Sequence, residues 1–397
     1  VPEFTSPLAV YNPLGLPKNE RSNQLVVPRI ITPLNSVVES LGPILYMQRF
    51  QSLQAFRGVA ALAVVVFHTA VFYRERTGIS LMKGAYPGCS GVDFFFVLSG
   101  FIIYNSHVRD FGRPARLPDF LFRRFIRVYP LFFLLSSLML LLYAFHLGHF
   151  SKLRTDVIVK SFFLFPQTPG VRPLLNPSWT LCYEMLFYAL FGVFILVNRR
   201  QRLSLLAAMV LLTGINCVAP VPGPYWLKLW LLSPYNLEFL AGCVASRLSK
   251  NYEVAWALPL GASVLLLNWI YASVKPGPIG DAAPVHMVLY FGVPYFLIVM
   301  GAASAERRRD YRIPALLTVL GDASYSIYLV HFLVATALMS VFVKLPQSPY
   351  LSIVEVSILA TASGYLLYLL VERPLLRWMR QAASRRDVRA TTLSLAE

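Results

Sequence analysis

Charge is what this sequence has least of. Only 14% of its 397 residues are Asp, Glu, Lys or Arg, where soluble domains carry about 25%. Acidic residues are the scarcer sign, 19 against 36 basic ones, for a net charge of +17. The four cysteines, Cys89, Cys182, Cys217 and Cys243, are far apart. No pair has metal-ligand or redox spacing, so neither a cysteine zinc site nor a disulfide framework is implied. No P-loop, dinucleotide fingerprint or HExxH motif occurs, and no metal is expected. No internal repeat suggests a transporter built from two related halves. Nor is there a basic segment followed by an apolar core and cleavage site that would read as a signal peptide.

What is present is apolar. Hydrophobic residues make up 56% of the chain, and the mean hydropathy is +0.58. The expected fold class is an all-α polytopic membrane protein, a bundle of about ten transmembrane helices with a cytoplasmic amphipathic helix. The spans are laid out at 53–73, 91–107, 128–147, 178–197, 203–220, 233–247, 253–273, 285–303, 314–341 and 350–371. The second and sixth are short. The stretch Val157–Phe165 is too short to cross and reads as an interfacial or re-entrant piece. Alternate loops hold roughly twice as many Lys and Arg as the others, which places both termini in the cytoplasm of a bacterial inner membrane. The positive balance therefore speaks of the bilayer rather than of nucleic acid. Residues 1–46, rich in Pro, Asn and Ser, read as an appended remnant or a disordered extension, with Met47 as the natural start. Residues 47–374 form the transmembrane domain and 375–397 a basic cytoplasmic tail.

Ionisable groups inside spans are costly and usually paired or functional. Span one, LQAFRGVAALAVVVFHTAVFY, carries Arg57 and His68. Eleven residues at about 100° return to within roughly 20°, so the two share a face about 16 Å apart along the axis. That suits a long ligand held by its charged end near one surface while its reactive end reaches inward. The competing reading has Arg57 snorkelling to lipid phosphates and His68 as a hydrogen-bonded interior residue.

Leu117–Tyr129, LPDFLFRRFIRVY, reads as the amphipathic helix. Arg124 and Arg127 share one of its faces with Arg123 beside them, a donor set that matches polyphosphate oxygens, or else an anchor on anionic lipid. In GVDFFFVLSGFII, Asp93 reads as a cap or orienting group at the outer end of span two. Ser99–Gly100 marks a close helix approach. SWTLCYEMLFY places Trp179 at the head of span four and Glu184 about two turns in. Glu184 is the preferred partner for His68, with Glu238 and Glu355 as rivals. In YSIYLVH, Tyr325 and His331 lie in span nine, His331 as deep as His68. A buried histidine bonded to backbone or tyrosine is the competing reading there. His107, His146, His149 and His286 have no supporting pattern.

These motifs together carry a resemblance. Arg57 with ten residues before His68, the GVDFFFVLSGF run, Arg124-x-x-Arg127 leading into Tyr129–Pro130, Trp179-Thr180-Leu181-x-x-Glu184 and YSIYLVH stand in this order from about Gln51 to Pro374. The chain resembles the acyltransferase-3 family of integral membrane acyltransferases, closest to bacterial exopolysaccharide O-acetyltransferases. The resemblance implies ten spans, an acyl-CoA donor such as acetyl-CoA, and a saccharide acceptor, lipid-linked or polymeric. It implies that Arg57 and His68 are needed for activity and that the Arg-x-x-Arg pair binds the donor. Thr180 stands where Ser is more usual, which keeps the hydroxyl. The hydrolase-like extracytoplasmic domain of some members is missing from the 397 residues. Two other functions stay open from the residues: a transporter or flippase of a glycan-linked lipid using His68 and Glu184 as a proton relay, and acylation of a macrolide, peptide or lipid head group.

Overall fold

In hydrocarbon every backbone N–H and C=O must be satisfied within its own segment, so a chain of this composition becomes helix after helix. A computed structural model describes residues 50–81, 85–145, 150–219, 221–274, 284–308 and 312–382. The expectations for residues 1–46, for His146 and His149, and for the tail beyond 382 lie outside the described residues. The helices are α1 (Gln51–Thr77), α2 (Gly91–His107), α3 (Leu117–Ala144), α4 (Thr155–Phe162), α5 (Trp179–Leu196), α6 (Arg199–Val218), α7 (Tyr235–Asn251), α8 (Ala257–Val274), α9 (Val293–Glu306), α10 (Ala315–Phe342) and α11 (Pro349–Leu367). Among the described residues there is no strand. Nine helices there are long and apolar enough to cross a membrane, all of these but α4 and α7.

Local chemistry sets the ends. Gly78 closes α1 in the left-handed region at φ 74°, its N–H donating to Arg74 O. Asn198 and Gln201 form a capping box at the head of α6. Ser348 caps α11, with Pro349 just inside.

The segment expected as a separate amphipathic helix is instead the first three turns of α3, continuous with the third span through Pro130. The reason is burial. Phe120, Ile126 and Val128 pack into the core while Leu121, Phe122 and Phe125 face outward, so the segment is held inside the bundle. Helix α7, 17 residues with Glu238, Arg247 and Lys250, is short for a span. It stands where the sixth span was expected, packed against α2 and α9.

The bundle is organised on α1 and α10. They run parallel, from Gln54 against Gly321 to the Arg76 guanidinium on Thr336 O at 2.8 Å. Parallel spans need an odd number of crossings between them. Helices α2, α3, α5, α6, α7, α8 and α9 supply it when α7 is counted. A Cβ on Gly321 would lie 1.9 Å from the Gln54 carbonyl oxygen, so the two backbones touch beside Arg57. Helices α2 and α7 meet the same way: a Cβ on Gly100 would lie 1.9 Å from Phe239 O. Helix α11 completes the α1–α10 group around Ile327, Met339, Val356 and Ala360. A second core joins α3 to α5 through Phe120, Phe132, Phe187 and Phe191. A third joins α2, α8 and α9.

Three π-turns among the described residues break this regularity. Leu227–Leu231 precedes α7. Val288–Gly292 leads into α9, and Tyr368–Glu372 follows α11, where helix continues to Ala382. Such turns often mark functional positions.

Candidate active site

Parallel packing of α1 on α10 brings two histidines of like depth together. Nε2 of His331 lies 3.2 Å from Nδ1 of His68, and the ring centres are 5.0 Å apart. Carbonyl oxygens only accept, and this fixes both tautomers. Nδ1 of His331 is 2.7 Å from Tyr328 O and 3.2 Å from Ile327 O, so it carries the hydrogen. Nδ1 of His68 is 3.0 Å from Val64 O and therefore carries one as well. His331 Nε2 is then the acceptor for the His68 Nδ1–H. The lone pair of His68 is left on Nε2.

His331 is fully buried, while His68 is half-buried beside Phe67, Phe72 and Phe332. Tyr328 supports the pair from behind. Its hydroxyl donates to Pro177 O at 3.2 Å and lies 2.9 Å from Thr180 Oγ1. The hydroxyl of Thr180 thus braces the helix that carries His331.

Toward the start of α1 lies a denser charged network. Arg57 donates to Gln54 Oε1 at 3.1 Å, and Gln54 Nε2 donates to Asp322 Oδ1 at 2.5 Å. Arg127, Glu372, Asp322 and Glu184 are within electrostatic reach of Arg57. Arg127 donates to Glu372 Oε1 at 2.5 Å and lies 5.1 Å over the Tyr325 ring. The second oxygen of Glu372, a residue only 2% exposed, accepts from Ser326 Oγ at 2.6 Å. Tyr325 donates to Val128 O at 2.7 Å.

Arg124 donates to His107 Nε2 at 3.0 Å, and His107 Nδ1 donates to Asp110 at 2.8 Å. The Arg124 guanidinium also lies over Phe120 and Tyr188. Its Nε has no partner among the described residues. Arg123 is exposed and bonded to both oxygens of Asp119 at 2.9 Å.

The expected residues therefore fall into two groups. Arg57, Arg127, Tyr325 and Glu184 gather with the network; His68 and His331 gather further along α1 and α10. Glu184 accepts from the Tyr188 hydroxyl one turn on and from Ser99 Oγ at 3.3 Å. The ring facing His68 is that of His331. Asp93 lies in the first turn of α2, facing Glu238 of α7, both 1% exposed. Neither carboxyl touches the histidine pair by any hydrogen bond among the described residues. Glu355 accepts from Gln347 at 2.8 Å. Trp179 is 41% exposed at the head of α5, against Tyr183 and Tyr235.

Sequence reasoning missed Gln54, Asp322 and Glu372 and gave His107 no role. Glu372 carried a readable signal, a carboxylate closing the apolar run YLLYLLVE. Among the described residues no group of three or more His, Cys, Asp or Glu could hold a metal ion.

Comparison with known proteins follows the same outline. A family described as acyltransferase domain matches residues 50–372. The exopolysaccharide production protein ExoZ of Rhizobium meliloti (strain 1021) is 28% identical over 336 residues, 79% of this chain and 95% of the relative. The acyltransferase MdmB of Streptomyces mycarofaciens is 28% identical over 318 residues, 72% of this chain and 79% of the relative. The peptidoglycan O-acetyltransferase OatA of Listeria monocytogenes is 24% identical over 319 residues, 72% of this chain and 49% of the relative. No solved structure matches.

Proposed function

The chain belongs to the acyltransferase-3 family, a multi-pass membrane family whose domain covers residues 50–372, and from that premise we propose that it moves an acyl group, acetyl in the working case, from cytoplasmic acyl-CoA to a hydroxyl of a surface or exopolysaccharide saccharide. Two relatives' names support the acceptor class: exopolysaccharide production for ExoZ and peptidoglycan O-acetylation for OatA. The excess of Lys and Arg in alternate loops supports an inner-membrane protein with both termini and the Arg123–Arg127 face in the cytoplasm.

The observation that carries the chemistry is the histidine pair with its fixed tautomers. A sugar hydroxyl is a poor nucleophile at neutral pH and needs a base at the point of transfer. Nε2 of His68 has the free lone pair for it. The hydroxyl proton passes to Nε2, the hydroxyl oxygen bonds to the thioester carbonyl carbon, and the carbon–sulfur bond breaks. His68 then returns the proton to the departing thiolate. His331 receives the Nδ1–H throughout, holding the ring and supporting the imidazolium as it forms.

Glu184 acts as a positioning carboxylate on the Arg57 side, a role supported by its contacts with Ser99 and Tyr188. Arg57, Arg123, Arg124 and Arg127 serve the donor. Exposed Arg123 offers phosphate contacts, with Arg124 beside it on His107, and Glu372 holds Arg127 in place beneath them. The ~16 Å between Arg57 and His68 suits an extended arm lying along α1.

Direct transfer is separated from an acyl-histidine relay by incubating purified protein with labelled acetyl-CoA and no acceptor. Direct transfer leaves the protein unlabelled. Stoichiometric release of CoA with label retained on His68 establishes the relay instead.

A further inference from the structure

At the opposite end of the bundle from the arginine network, the loop from Pro166 to Ser178 is pinned over α10. Lys152, 8% exposed, donates to Pro173 O at 2.9 Å and Asn176 Oδ1 at 2.6 Å. Leu174 N donates to Ser161 Oγ at 3.0 Å, and Leu174 O accepts from the Tyr143 hydroxyl at 3.3 Å. Pro177 O takes the Tyr328 hydroxyl at 3.2 Å, one turn before His331. These bonds fix where the loop stands relative to the histidine pair.

Arg172 heads this pinned stretch, between Gly170 in the left-handed region at φ 80° and Pro173. Its side chain is exposed. It makes no hydrogen bond, ion pair or ring contact among the described residues, unlike Arg57, Arg123, Arg124 and Arg127. Its charge reaches both His68 and Lys152. Arg172 thus sets an exposed, unpaired guanidinium at this end, on the pinned loop that bonds to the helix carrying His331. A neutral glycan gains little from such a group. A carboxylate or phosphate gains a forked, charge-assisted contact.

We propose that Arg172 recognises an anionic group on the acceptor, so that the acceptor is an acidic saccharide whose carboxylate or phosphate rests on Arg172 while a nearby hydroxyl meets Nε2 of His68. This deepens the acyl-transfer reading and rests on it for the role of His68. It places acceptor recognition at the end of the bundle away from the donor arginines.

The test reads binding, not turnover. Calorimetry on the full chain in phospholipid-free detergent compares a galacturonate tetrasaccharide with a neutral galactose tetrasaccharide. The acidic probe is expected to bind about tenfold or more tightly, the scale of one charge-assisted contact. Arg172→Gln should abolish that preference by weakening the acidic probe alone, and Arg172→Lys should keep part of it. Equal binding of the two probes, absence of binding by both, or equal weakening of both in Arg172→Gln overturns the proposal. The last result marks an oxyanion or structural role, and absence of binding fits an arginine that serves lipid phosphates. Label transfer from acetyl-CoA, measured separately, shows whether the acyl-transfer reading stands or falls independently of Arg172.

Discussion

Replacing Glu372 with alanine removes the only carboxylate bonded to Arg127 among the described residues and leaves a guanidinium facing a gap. The Arg127 side chain is 28% exposed and that of Glu372 2%. Breaking a buried pair by deleting one partner costs about 3–5 kcal/mol, and the partial exposure of Arg127 sets its share near the lower bound. Ser326 Oγ also loses its acceptor at 2.6 Å, adding about 1 kcal/mol for an unsatisfied hydroxyl. Glu372→Ala should therefore destabilise by about 4 kcal/mol. Glu372→Gln, which keeps an oxygen for Ser326, should cost less. Arg127→Met combined with Glu372→Met should recover most of the loss, because neither charge is then stranded. Denaturant unfolding in detergent gives the double-mutant cycle. A cost below ~1 kcal/mol for Glu372→Ala, or additive losses in the cycle, would refute the pairing and free Arg127 as a primary phosphate ligand.

Gly100→Ala should lose the fold or cost about 3 kcal/mol or more, since the added Cβ has to displace the Phe239 carbonyl; a thermal midpoint equal to the parent's contradicts the α2–α7 contact. Burial, with Arg172 nearby, lowers the Lys152 amine to about 8. An unfolded lysine titrates near 10.5, so between those values the unfolded chain binds the extra proton and the fold gains stability as pH rises. Midpoints measured from pH 7.5 to 10.5 should climb relative to Lys152→Met; parallel curves would show the amine to be solvated. In a cysteine-free background, a cysteine at position 119 should resist an impermeant reagent applied outside cells while one at position 170 reacts. Labelling of position 119 from outside would reverse the assigned orientation.

Helix order was legible because apolar runs interrupted by basic loops leave few alternatives. Of the ten spans expected, nine are long and apolar enough among the described residues, and α7 is not. The α3 boundary was not legible, because periodicity cannot tell an amphipathic stretch lying on a membrane from one packed into a bundle. Phe120 and Ile126 look alike in both settings. His68 and His331 were each visible as intramembrane histidines of matching depth. Their pairing depended on α1 and α10 running parallel, a property of the whole topology. Glu184 looked like a carboxylate in need of a partner, and Tyr188 stood one turn away in the same motif. The Arg127–Glu372 pair spans 245 residues, and Glu372 is the last residue of a π-turn. Neither distance nor turn leaves a local pattern in the sequence.

The central claim is that His68 supplies the base for acyl transfer. Its most direct test follows label from acetyl-CoA into the glycan fraction of host membranes carrying the parent chain or His68→Ala. Loss of a positioned base should lower transfer by about 10²–10⁴-fold, with the variant folded and still binding CoA. Transfer at the parent rate in His68→Ala would contradict the account.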